Sequence, residues 1–72
     1  MYEYQYFDGF DYTTFHIIES NLDENIITLA VSYLGKISVI TYDLSIDQNG
    51  LYFEYGPSFT KIHLHDFEEE NP

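Results

Sequence analysis

The chain has 72 residues, with 13 acidic side chains against 2 basic ones and a formal net charge of -11. That length excludes a second domain, the absence of Cys excludes a disulfide framework or a thiolate metal site, and the charge sets the chain against direct contact with nucleic acid or an anionic membrane. A hydrophobic fraction of 44% and an aromatic fraction of 19%, with 8 Tyr and 6 Phe, are too high for a disordered acidic chain. The start is neither basic nor followed by an apolar run, and no stretch approaches the ~20 apolar residues that span a bilayer. The expectation is one cytoplasmic domain over 1–67, followed by a disordered acidic tail over 68–72.

In chain order, residues 2–7 alternate Tyr2, Tyr4 and Tyr6 with Glu3, Gln5 and Phe7, which reads as an edge strand until Gly9 breaks the run. Tyr4 and Tyr6 are candidate binding anchors, because Tyr is rigid, amphipathic and enriched in binding hot spots. Asp8 and Asp11 beside them would favour a basic partner. A second strand, 13–19, is rich in β-branched and aromatic residues. The polar cluster 20–25, with Asp23 and Glu24, then makes a turn.

Segment 26–34 supports two readings. Asn21 with Glu24 has the spacing of a capping box and Gly35 stands where a helix would end, so 22–34 reads as a helix and the fold as α+β. Alternatively, Ile27, Leu29, Val31 and Tyr33 alternate with Thr28, Ala30 and Ser32 as in a strand. Register favours the strand. A turn at Gly35-Lys36 sets Val31 against Ile40, Leu29 against Tyr42 and Ile27 against Leu44, with one apolar face. A turn at Asn49-Gly50 sets Ile46 against Phe53, Leu44 against Tyr55 and Ser45 against Glu54. A turn at Pro57-Ser58 sets Phe53 against Ile62, Leu51 against Leu64 and Glu54 against Lys61. The fold expected is mainly β: an antiparallel meander of strands 26–34, 37–47, 51–56 and 59–67, five to six strands in all. Its apolar face is covered by curling into a small barrel or by a homodimer. Ile40, Leu44, Phe53, Ile62 and Leu64 should form its core.

No catalytic motif or cofactor fingerprint is present, and a domain this small has little room for a cleft that would push two carboxylate pKa values apart. An enzyme is therefore not expected. His63 and His65, with Asp66 or His16, could approach a metal, but they read as exposed residues alternating with a core Leu64, so no metal is expected. The polar face of the meander offers Asp43, Asp47 and Glu54. Carboxylates two apart on a strand stand ~6.8 Å from each other, of the order of the phosphate spacing along nucleic acid. In size and charge the chain resembles phage and mobile-element inhibitors of restriction enzymes, CRISPR effectors and uracil-DNA glycosylase. The function expected is a nucleic-acid mimic that blocks the basic site of a DNA- or RNA-handling enzyme. Asp8, Asp11, Asp23, Glu24, Asp43, Asp47 and Glu54 would supply charge, and Tyr4 and Tyr6 would anchor the partner. An aromatic interaction or oligomerisation module, or an antitoxin or immunity protein for a basic nuclease, are the alternatives.

Overall fold

The computed structural model describes residues 2–69. Eight strands are present: β1 (Tyr2–Phe7), β2 (Tyr12–Asn21), β3 (Ile26–Tyr33), β4 (Lys36–Asp43), β5 (Ser45–Asp47), β6 (Gly50–Tyr55), β7 (Thr60–His63) and β8 (Glu68–Glu69), with one 3₁₀ turn at Leu64–Asp66. They form a five-stranded sheet ordered β4-β3-β2-β1-β8 and a three-stranded sheet ordered β5-β6-β7. All pairings are antiparallel. No α-helix occurs among the described residues, so the helix reading of 22–34 is overturned. Period-2 burial decides it: Ile27, Leu29 and Val31 are buried in alternation and β3 is paired on both sides. The capping signal serves a turn instead, where the Glu24 N–H donates to Asn21 Oδ1 at 3.2 Å and Asn25 takes φ 57°.

The sheets do not close into a barrel. β4 and β8 are the free edges of one sheet and β5 and β7 those of the other. The expected strand 37–47 is split at Leu44. That residue leaves the five-stranded sheet after its N–H donates to Asn25 O at 2.7 Å, and its side chain is buried. Glu68 and Glu69, expected in the tail, instead pair with Glu3 and Tyr2. The rest of that tail lies outside the described residues.

Two expected registers are shifted by two residues. Leu29 faces Ile40 and Ile27 faces Tyr42, because the turn sits on Leu34 (φ 50°) and Gly35 (φ 77°), both left-handed as a type I′ turn requires. An even shift preserves the faces, and it sets Thr28 opposite Thr41, whose hydroxyls lie 3.0 Å apart. In the next hairpin Ser45 faces Tyr52, not Glu54. There Asp47 Oδ1 accepts the Asn49 N–H at 2.8 Å, which turns the chain one residue early and leaves the positive φ to Gly50. The third hairpin has the expected pairs Phe53–Ile62 and Glu54–Lys61. Leu64 enters the 3₁₀ turn instead of pairing with Leu51.

The core lies between the sheets. Phe15, Ile27, Leu29 and Val31 come from one side, Phe53 and Ile62 from the other, and Leu44 and Phe67 from the crossings. Phe53 packs edge-on to Phe15 with centroids 5.4 Å apart and stacks on Tyr42 at 4.7 Å. Leu44, Phe53 and Ile62 are buried as expected. Leu64 is only partly buried, and Ile40 is 37% exposed because β4 is an edge strand among the described residues.

Candidate binding surfaces

The β1–β2 turn is built around Asp8. Its Oδ1 accepts the N–H groups of Phe10 at 2.8 Å and Asp11 at 2.9 Å, while its own N–H donates to Asp11 O at 3.2 Å. Gly9 takes φ 94° within the turn. The other carboxylate oxygen, Oδ2, accepts the Tyr33 hydroxyl at 3.2 Å, which ties the turn to the end of β3. The Asp11 and Phe10 N–H groups stabilise the charged form, so the Asp8 carboxyl is held below the usual carboxylate range. Burial, and then the Asp8 charge, push the Tyr33 hydroxyl up.

Beside this turn lies a groove of about 470 Å³, lined by Tyr6, Asp8, Phe10, Tyr33, Tyr55 and the β6–β7 loop. Tyr6 and Tyr55 meet edge to face, with centroids 6.2 Å apart and planes at 75°. Tyr55 is backed by Phe15 at 5.0 Å, and its hydroxyl lies 3.4 Å from Thr13 Oγ1. Aromatic walls beside a carboxylate fixed in its ionised form are suited to a cation, through the ring quadrupole and direct charge attraction. Of these residues the sequence reading singled out Tyr6 and Asp8 and missed Phe10, Tyr33 and Tyr55. The last two come from other strands, 25 and more positions away: the β1-β2-β3 order of the larger sheet brings in Tyr33, and the packing of the second sheet against it brings in Tyr55.

A second groove, about 280 Å³, is lined by Glu3, Tyr4, Gln5, Asp66, Glu68 and Glu69. Tyr4 forms part of its wall but also packs on Phe67 with centroids 5.6 Å apart, so the expected anchor is partly a core residue. On the outer side of β1, Glu3 Oε2 lies 3.0 Å from His16 Nε2.

The expected row Asp43–Asp47–Glu54 does not exist, because the break at Leu44 puts Asp43 in one sheet and Asp47 and Glu54 in the other. Asp43 pairs with Ile26 beside the turn that carries Asp23 and Glu24, so these three share one end of the larger sheet. Asp47 is already engaged. Its Oδ2 accepts from Lys61 Nζ at 3.2 Å, and His63 Nε2 lies 3.0 Å from both its oxygens. Burial raises its pKa, but the Asn49 N–H, His63 and Lys61 outweigh this and hold it at about 2. The hydrogen bond to Asp47 raises the Lys61 pKa, with Tyr52 adding to the effect from a ring centroid 4.6 Å away.

His63, His65 and Asp66 bring one ligand atom each to within 4.8 Å of one another. His16 is not among them; it stands on β2 with Glu3. This trio could offer three ligands to a metal, yet its members are already committed: His63 to Asp47, and His65 Nδ1 to Asp66 Oδ1 at 3.2 Å. No helix among the described residues is long and apolar enough to cross a membrane. Comparison with family models, curated proteins and solved structures yields no match.

Proposed function

We propose that this protein is a small acidic inhibitor that docks on the basic site of a DNA- or RNA-handling enzyme and excludes nucleic acid from it. The observation that supports this most directly is the Tyr6–Asp8–Tyr33–Tyr55 groove, an aromatic recess with a fixed, ionised carboxylate, on a chain of net charge -11. In this reading the groove takes a Lys or Arg side chain of the partner. Asp11 beside it, and Asp23, Glu24 and Asp43 at the opposite end of the sheet, steer the approach. Asp47 and Glu54 contribute less, being matched by Lys61 and His63.

The test is capture of a nucleic-acid-binding partner over a salt series, with and without competing DNA or RNA. Binding should weaken steeply with salt, since screening shortens the reach of charge from ~10 Å at 0.1 M to ~3 Å at 1 M. Asp8→Asn should weaken binding about tenfold, the loss of about 1.4 kcal/mol from one charge-assisted contact. Indifference to salt and to competing nucleic acid would overturn the proposal. The alternative, an oligomerisation module, draws its support from a different surface, the free edge at β4.

A further inference from the structure

We infer that β4 is the pairing edge of a symmetric dimer, its outward ladder joined antiparallel to the same strand of a second copy. The described residues present four sheet edges, and three are protected against such pairing. β8 has two residues, both Glu; β5 has three and ends in Asp47; β7 has four, carries Lys61 and runs into the 3₁₀ turn. Short length and charge are the usual devices that stop edges from pairing. β4 has neither. It runs for eight residues, Lys36–Asp43, with no Gly, Pro or bulge and no charge between its ends. Ile37 is 71% and Val39 66% exposed upon it.

The phase of the ladder is fixed on both sides of the strand. The two-residue turn makes Tyr33 and Lys36 a hydrogen-bonded pair, and the Leu44 N–H to Asn25 O bond is a later rung in the same phase. Lys36, Ser38, Ile40 and Tyr42 therefore bond inward to β3. The N–H and C=O groups of Ile37, Val39, Thr41 and Asp43 face outward. A two-fold axis normal to the sheet can bring outward groups only against outward groups. With the axis at Ile40, Ile37 meets Asp43 of the other copy and Val39 meets Thr41, for about eight main-chain hydrogen bonds. Ile40, half uncovered at the border of the core, then packs on its own mate. Ile37 and Val39 of both copies join in one apolar ribbon on the outer face.

Charge selects a second copy as the occupant. β4 carries one Lys and one Asp, so it is electrically neutral in a chain of -11. The rest of the chain holds only one further Lys, Lys61, against 12 carboxylate side chains, so its other faces mostly bring carboxylate against carboxylate when two copies meet. This edge instead carries no net charge, with its one Lys and one Asp at its two ends. The interface is isologous, so it closes at two copies.

The salt response separates this inference from the inhibitor reading. Two copies of charge -11 repel through the rest of their surfaces, so added salt should tighten the dimer, whereas it should weaken docking on a basic enzyme. Sedimentation velocity of the full chain, over a concentration series at low and at 0.5 M salt, should show a monomer–dimer equilibrium about tenfold tighter at the higher salt. Val39→Lys puts a charge in the middle of the edge and should abolish the dimer while leaving the circular dichroism spectrum unchanged. Amide exchange at Val39 and Thr41 should slow as protein concentration rises. A monomer at every concentration in both salts, or a dimer that survives Val39→Lys with its spectrum intact, overturns the inference. Neither result would touch salt-sensitive capture of a basic partner.

Discussion

Asp47 shows how a side chain singled out for its charge also serves the structure. Placed on the polar face of a continuous strand, it reads from sequence as a binding carboxylate. In the fold it holds the Asn49 N–H, Lys61 and His63 together. Its pKa is depressed from 3.8 to about 2, so its contribution to stability is fully present above the unfolded value and is lost as pH falls from near 5 toward 2. Asp47→Asn keeps a side-chain oxygen for the turn but removes the charge. The variant should melt below the parent at pH 7, and the gap between the two should narrow as pH is lowered through that window. Thermal melts at a series of pH values read this directly. A constant gap down to pH 2 would mean that Asp47 acts through the turn alone. Asp8 carries the same lesson in the other direction: its partner Tyr33 is 25 positions away, and no local pattern announces it.

At the scale of elements, alternation and turn chemistry carried different amounts of information. Faces were legible because burial repeats every two residues. The buried set Ile27, Leu29 and Val31 and the pairs Phe53–Ile62 and Glu54–Lys61 follow from that. Turn positions were less legible. Gly35 invites a turn that begins on it, yet the structure begins one residue earlier and places Leu34 in the left-handed region. The whole length of β3–β4 pairing outweighs the local cost of one strained residue. That cost is recoverable. Leu34 is 59% exposed, so Leu34→Asn gives up little packing and creates the Asn-Gly pair that type I′ turns favour. It should add about 0.5–1 kcal/mol, a rise of about 2–8 °C in melting temperature for a domain of this size. A lower melting temperature would show that Leu34 packs usefully where it stands. The break at Leu44 had no sequence signal, since a buried Leu between Asp43 and Ser45 continues the alternation. Only the competition between two sheets for the same core makes it a crossing point.

For the whole molecule, the sequence pointed to a small, mainly β domain with a large excess of negative charge, but the distribution of that charge depended on the fold. The carboxylates do not form one nucleic-acid-like row. They gather at separate places: the Asp8–Asp11 turn, the end with Asp23, Glu24 and Asp43, and the groove between Glu3 and Glu69. The return of the chain to its own beginning, with Tyr2 beside Glu69, has a consequence for connectivity. Positions at opposite ends of the sequence are neighbours in space, so the strand order does not depend on which peptide bond is left open. A circular permutant that joins the two ends through a short flexible linker and opens the chain between Asp23 and Glu24, in an exposed turn, should keep both sheets. It should also retain the Tyr6–Asp8 groove, since none of that groove's walls lies at the cut. The melting temperature of the permutant, with amide exchange across β1 and β8, would show whether the fold is a property of the cycle or of the thread.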